Sequence, residues 1–241
     1  MKVFLAGTYS SPYVGAEKAK YILESYFYIK EWQVACLKIW DDFLLDSGAF
    51  TFMSQADKKV DWDKYVEDYA LFINKHNIKN FFELDIDCIV GIKEVERLRR
   101  KLENITKKKC IPVWHKSRGK DYWFQMCEEY PYVAIGGIVT KEIKLSEYHY
   151  LNWFIKEAHK RGAKVHGLGF TNMKFLKKMK FDSVDSTNWL SGSRFGQLHI
   201  FKNNIINQIS FKNKRGKDYK KMDVFIFSEW IKFQKYADKN L

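Results

Sequence analysis

Short β-type runs alternate with longer amphipathic runs along most of this chain, and that alternation restricts the fold more than any other feature. The strand candidates are KVFLAGT (2–8), FLLDSGA (43–49), FFELDI (81–86), IPVWH (111–115), YVAIGGI (132–138), KVHGLG (164–169) and DSVDST (182–187). Between them lie helical patterns at 60–76, 93–105 and 146–162, the last closing on basic residues and Gly162, a C-terminal stop signal. Strand–helix alternation at this spacing predicts right-handed βαβ units and a parallel sheet. Seven strands are clear and GQLHIF (196–201) supplies a candidate eighth. The count predicts a single-domain (β/α)8 TIM-type barrel over residues 1–241 rather than an open doubly wound sheet. The first glycine-bearing turn, AGTYSSPYVG, is not GxGxxG, which lowers a dinucleotide-binding reading.

A barrel of this size needs a large core, and the composition, 46% hydrophobic and 17% aromatic, supplies one. The formal net charge of +13 biases the partners toward polyanions, because Lys and Arg gain affinity by releasing counterions from phosphates. About +6 of that charge falls in residues 202–221, ahead of an apolar, aromatic segment at 223–237 expected to form a closing helix. Cys36, Cys88, Cys110 and Cys127 stand far apart without a CxxC pair, so a cysteine-cluster zinc is not expected. No signal-peptide pattern opens the chain, and no apolar run approaches the ~20 residues that span a bilayer. A cytoplasmic protein without membrane contact is the expectation.

In a barrel the catalytic face is built from the C-terminal ends of the strands. Those ends read Asp46-Ser47-Gly48, Asp85 with Asp87, His115, Gly136-Gly137, His166-Gly167, and Asp182 with Asp185. Six apolar strands thus end in acids, histidines or close-approach glycines, a repetition that turn chemistry alone does not produce. Structural uses remain open for each: Asp46 as a helix cap, Asp85 or Asp87 as the cap of the next helix, His115 as a bonded core residue, the glycines as packing positions. No G-x-S-x-G elbow and no Walker A loop is present. A carboxylate set suits reactions at an anomeric carbon, where one acid attacks and another moves protons. A metal held by Asp and His is the runner-up use of the same residues, with no ligand spacing of the HExxH kind to raise it.

The motifs DSGAF (46–50), IGGI (135–138), VHGLG (165–169) and FDSVDS (181–186) occur in the order found in the tRNA-guanine transglycosylase superfamily, which the stretch Leu44 to Gly196 resembles. FDSVDSTNWLSGSRFG looks closer to the branch acting on DNA, the deoxypurine-in-DNA (DpdA-like) transglycosylases, of phage or mobile-element origin. The resemblance implies a pentosyltransferase that replaces guanine with a 7-deazaguanine such as preQ0, without a cofactor or metal. It implies Asp182 as the nucleophile at C1′, with Asp185 the alternative if the alignment slips by three. Asp46 becomes the second acid and Phe50 the aromatic that stacks on the base. Asp85, or else Asp87, becomes the acid that reads the purine edge. His115 falls near base recognition, Gly136-Gly137 near the backbone facing the base, and His166-Gly167 along an apolar wall.

The tRNA enzymes' three-cysteine, one-histidine zinc site is missing, since no cysteine follows Cys127. That absence favours DNA, with tRNA and a catalytically silent nucleic-acid-binding barrel as rivals. Lys212, Lys214, Arg215, Lys217, Lys220 and Lys221 are the expected contacts to the nucleic-acid backbone. Partner proteins for strand opening are compatible with this expectation, because a base in a duplex must be extruded before it can be exchanged.

Overall fold

A computed structural model of the chain describes residues 1–53, 60–210 and 218–241. Eight strands form one sheet in which every pairing is parallel: β1 (Lys2–Ala6), β2 (Tyr21–Ser25), β3 (Asp42–Asp46), β4 (Asn80–Phe81), β5 (Val113–Trp114), β6 (Tyr132–Ile135), β7 (Lys164–Gly167) and β8 (Ser183–Ser186). Their order is β4-β3-β2-β1-β8-β7-β6-β5, so β1 and β8 pair at the centre of the curled sheet. The edge strands β4 and β5 share no ladder. They meet in an isolated parallel bridge, Phe82 to Ile111, where Ile111 N–H donates to Phe81 O (2.8 Å) and Glu83 N–H to Ile111 O (3.0 Å). The fold is thus α/β with a curled eight-stranded parallel sheet, and a single bridge stands at its seam.

The expected eighth strand needs correction. Residues 196–201 do not join the sheet; β9 (Gln197–Lys202) pairs antiparallel with β10 (Ile205–Ser210) in a separate hairpin. Its turn residues Asn203 and Asn204 both have positive φ, 56° and 63°, the conformation a two-residue type I′ turn requires. The true additional strand is β2, whose paired residues run beside β1 and β3.

The helices are α1 (Glu31–Cys36), α2 (Phe50–Met53), α3 (Trp62–Lys75), α4 (Asp87–Val90), α5 (Ile92–Thr106), α6 (Gly119–Glu129), α7 (Tyr148–Lys160), α8 (Met173–Leu176), α9 (Ser191–Phe195) and α10 (Tyr219–Asn240). Only two short 3-10 turns, Thr8–Ser10 and Ala16–Lys18, connect β1 to β2. The closing helix α10 docks there instead. Its buried Gln234 donates to Val3 O (2.7 Å) and Tyr21 O (2.8 Å) and accepts from Lys20 N–H (2.8 Å), satisfying backbone groups of the loop and both strands.

Side chains alternate between the two faces of each strand. One set, including Phe4, Leu23, Leu44, Phe82, Val113 and Ala134, fills the concave interior; the other packs against the helices in a larger apolar cluster. The N-terminal end of the interior is plugged by polar pairs: Lys2 Nζ lies 2.6 Å from Asp42, and Asn80 Nδ2 donates to Asp42 (3.0 Å). Among the described residues no helix is long and apolar enough to cross a membrane.

Candidate active site

Inward-facing residues at the C-terminal ends of the strands bring three acids together. Asp46 ends β3 opposite Ser25 of β2, and Asp185 lies on β8 opposite Phe4 of β1. Asp85 follows β4 in the same mouth. Burial pushes the Asp46 carboxyl up to about 6; the Gly48 N–H, which donates to it at 3.0 Å, opposes this, and the charges of Asp85 and Asp185 add to it. Asp46 therefore exchanges a proton near neutral pH, as an acid–base group must. Ser25 Oγ is buried beside it without a hydrogen-bond partner among the described residues.

Asp185 is held from one side. Its Oδ1 accepts from Gly169 N–H (2.7 Å) and from His166 Nε2 (3.2 Å), while Oδ2 has no hydrogen bond among the described residues. A carboxylate can only accept, so His166 carries a proton on Nε2, and its Nδ1 is hydrogen-bonded to the Ser183 hydroxyl. Ser183 is hydrogen-bonded in turn to Tyr132 OH, completing a chain Tyr132–Ser183–His166–Asp185 through the interior. His166 is fully buried, with Phe82 at 5.3 Å and Phe4 at 6.1 Å between ring centroids. It orients Asp185 from below and is not the apolar wall expected from the sequence. Gly167 faces outward and packs on Phe170 and Phe181.

Asp182 is the principal correction. It precedes β8, at the opposite end of the sheet, and its odd offset from Asp185 turns it to the helix face. There its Oδ2 accepts from Val165 N–H and His159 Nε2, both at 2.8 Å, and its backbone carbonyl accepts from Lys2 N–H (2.9 Å). These bonds tie β7 and α7 to β8 and keep the carboxylate out of the mouth.

His115 ends β5 between two carboxylates: Nε2 lies 2.7 Å from Asp85 and Nδ1 3.0 Å from Glu142. Burial alone would lower its pKa, but the hydrogen bond and charge of Asp85, then Glu142 and Asp87, outweigh it and raise it to about 9. Both ring nitrogens thus donate and the imidazolium persists at neutral pH. The paired glycines make this possible. A Cβ on Gly136 would sit 2.8 Å from His115 Cε1, and one on Gly137, whose φ is 76°, 2.8 Å from Glu142 Oε2. The space that was expected to face a ligand is taken by the protein's own ion pair.

Asp87 opens α4 and accepts from Arg118 Nε (2.9 Å). Arg118 also reaches fully buried Glu83 (3.0 Å), which pairs with Arg99 (3.2 Å) and accepts from Val113 N–H (2.8 Å). Glu83, Arg118 and Glu142 were missed in the sequence because each lies in a stretch whose neighbouring residue already accounted for the local pattern. Ser25 was missed because β2 was.

Asp85, Asp87 and His115 each bring one ligand atom within 4.8 Å of the others, a spacing that suits a metal ion. Their donor set is engaged, however: Arg118 holds Asp87, and the His115 proton holds Asp85. A metal would have to displace both cations, and a ligating imidazole must be neutral. Arg118 and the His115 proton would therefore compete with a metal ion for these carboxylates.

Phe50 begins α2, but its side chain lies outside the described residues, as do Lys212, Lys214, Arg215 and Lys217. Lys220 and Lys221 are exposed in the first turn of α10, far along the chain from the mouth's strands; Lys221 lies 3.3 Å from the capping residue Asp218, and Lys220 Nζ lies over the Tyr13 ring at 5.7 Å.

No family model matches this chain, and no curated protein matches it. Among solved structures it is similar to the carboxyl transferase domain of Rhizobium etli pyruvate carboxylase with 3-bromopyruvate, at TM-score 0.50 and 14% identity. The same domain with 3-hydroxypyruvate gives TM-score 0.46 and 14% identity. Each alignment covers 98% of this chain and 48% of the other, so the chain spans about half the length of those proteins. At this identity the first likeness shows the fold alone.

Proposed function

We propose that the mouth exchanges a purine base on a nucleic acid, replacing guanine in DNA with a 7-deazaguanine such as preQ0. Asp185, not Asp182, is the nucleophile in this reading, and Asp46 is the acid–base group. The single observation that carries it is the convergence of Asp185, Asp46 and Asp85 at the C-terminal end of the sheet, with one acid titrating at about 6.

The steps follow from these groups. The free Oδ2 of Asp185 bonds to C1′ as the C1′–N9 bond breaks, while protonated Asp46 gives its proton to the departing guanine. Fixing Oδ1 on Gly169 N–H and His166 leaves one oxygen aimed for in-line attack. The incoming base then displaces Asp185 from C1′, and Asp46 takes up the proton it loses. Two displacements retain configuration. Asp85, paired to His115, accepts hydrogen bonds from the purine's amino and ring N–H edge. In this reading the sheet is a (β/α)8 barrel whose seam is the Phe82–Ile111 bridge. The enzyme works in the cytoplasm of a bacterium or infected cell, on a base extruded from its strand, where partner proteins open the duplex.

Nucleoside mass spectrometry of DNA and tRNA from preQ0-supplied cells expressing the protein tests this reading. Deazaguanosine in DNA, lost with Asp185→Asn and kept with Asp182→Asn, is the expected outcome. Modification confined to tRNA would reassign the substrate, and no modification of either would sink the reading.

A further inference from the structure

A second concavity borders the mouth. The N-terminal ends of α6 and α7 flank a groove of about 580 Å³ whose lining includes Trp114, Lys116, Lys120, Tyr150, Trp153 and Phe154. Because each helix follows a parallel strand and runs back against it, these N-terminal ends lie on the side of the sheet that carries the acids. The two sites share a thin wall. Lys116 directly follows His115, Ile143 of the groove directly follows Glu142, and Glu142 binds both His115 Nδ1 and Ser117 N–H (2.9 Å).

The groove's chemistry is specific. Tyr150 is 60% exposed beside the His149 ring, and Trp153 is 40% exposed with Phe124 and Phe154 at edge-on distances of 5.7 and 5.0 Å, so both rings present part of their surface to solvent on one helix. Lys120 Nζ lies 5.1 Å from the centre of the Trp153 ring and has no carboxylate partner among the described residues. Lys116, on the mouth side, reaches across to Glu147 at 2.5 Å. Exposed aromatic surface beside the Lys120 ammonium, with Lys116 already paired to Glu147 of the same lining, matches a nucleotide: a base stacks on the ring and its phosphate meets Lys120. Lys120 offers a phosphate an ammonium that has no carboxylate partner among the described residues, and the chain's net charge of +13 favours a polyanion.

We propose that this groove binds the nucleotide adjacent to the exchanged one, stacking its base on Trp153 and placing its phosphate at Lys120. This rests on the reading of the mouth as a base-exchange site and deepens it: the substrate strand runs from the mouth over His115 and Lys116 into the groove. Strand contact here is independent of base identity, because every base presents a π face.

The test uses single-stranded oligonucleotides with one target guanine and 2-aminopurine or an abasic residue at each flanking position in turn. With the wild-type protein, 2-aminopurine at one flank is expected to be quenched, and an abasic residue there to weaken binding about tenfold. Trp153→Ala should remove the quench, weaken binding of the intact strand by a similar factor, and make the abasic substitution silent. Lys120→Ala, an exposed change that leaves the rings in place, should weaken binding and lower its salt dependence by about one ion. Unchanged affinity in both variants, or an abasic penalty that persists in Trp153→Ala, would overturn the proposal. Base exchange by Trp153→Ala at saturating oligonucleotide separates the two readings. A wild type that shows the flank effect but no exchange keeps the groove and rejects the chemistry of the mouth. Exchange without any flank effect does the reverse.

Discussion

Asp182, just before β8, and Asp185, within it, stand three residues apart, yet they serve opposite ends of the sheet. At the N-terminal end, Asp182 accepts two 2.8 Å hydrogen bonds, from Val165 N–H and His159, with Lys2 and Asp42 paired nearby in the interior. Polar groups there answer one another across elements, and the result is a plug. At the C-terminal end, Asp185 is anchored among the described residues through one oxygen, beside an acid raised to about 6 and a buried serine hydroxyl that has no partner among the described residues. Buried polar groups are ordinarily satisfied, and the proposed reading takes the unpartnered Ser25 hydroxyl and the open Asp185 oxygen as room for a ligand, although Arg161 Nε, His199 Nε2 and Asp223 Oδ1 elsewhere are also without a hydrogen-bond partner among the described residues. A closed polar network stabilises; an open one beside a concavity can bind and react.

The contrast breaks most sharply by substitution. Asp185→Asn should lower base exchange by ~10⁴-fold or more, the scale of losing a covalent nucleophile. Asp182→Asn should leave the rate within a few-fold and cost about 1 kcal/mol of stability for the weakened hydrogen bonds. Steady-state exchange of labelled guanine, with urea unfolding of both variants, measures the pair. The reverse ranking would return the nucleophile to Asp182.

Asp46→Asn should slow exchange by about 10²- to 10⁴-fold, as expected for loss of an acid–base group. Because Asp46 is protonated below about 6, release of guanine in a single turnover should fall as pH rises through that value. A profile unchanged in Asp46→Asn would separate Asp46 from the proton transfer.

His115 offers a stability test on the mouth side. Its folded pKa, about 9, exceeds the unfolded value of about 6.5, so the folded state holds the proton more tightly. The stabilisation is full below pH 6.5 and is lost as pH rises through 9, an amount of about 3 kcal/mol. Urea unfolding at pH 6.5 and pH 9.5 should show that decline, and His115→Gln should flatten it.

The smallest effect belongs to the chain beneath Asp185. Ser183→Ala leaves the Tyr132 hydroxyl and His166 Nδ1 short of a partner, at a cost of about 1–3 kcal/mol. Exchange should fall about tenfold through kcat rather than KM, since the substrate's own contacts are untouched. Loss in KM alone would place Ser183 outside the orientation of Asp185.

Much of the fold was legible in the sequence because strand and helix periodicities differ, and the interior and helix-facing residues of β1, β3, β6, β7 and β8 follow the period-2 pattern. β2 escaped because YILES ends in Glu24 and Ser25 and no helix separates it from β1. GQLHIF misled because apolar alternation looks the same in a hairpin as in a barrel strand. The Asn203–Asn204 turn that follows it was the signal to weigh. In the site, Asp46, Asp85, His115 and the paired glycines were recognisable as strand ends. Their partners, Glu142 at 3.0 Å from His115 and Arg118 at 3.9 Å from Asp85, lie 27 residues and 33 residues away in sequence. No local pattern signals such pairings.

The sequence by itself determined that Asp182 and Asp185 could not share a face, because side chains alternate along a strand and the two are an odd number apart. Which of them faces inward was decided only by the tertiary structure. The register that sets Phe4 opposite Asp185, and Lys2 opposite Ser183, fixes which parity of β8 lines the interior. A register is a property of two strands in contact, 181 residues apart here from Phe4 to Asp185, and a shift of one residue would turn Asp185 out of the interior and Asp182 toward it.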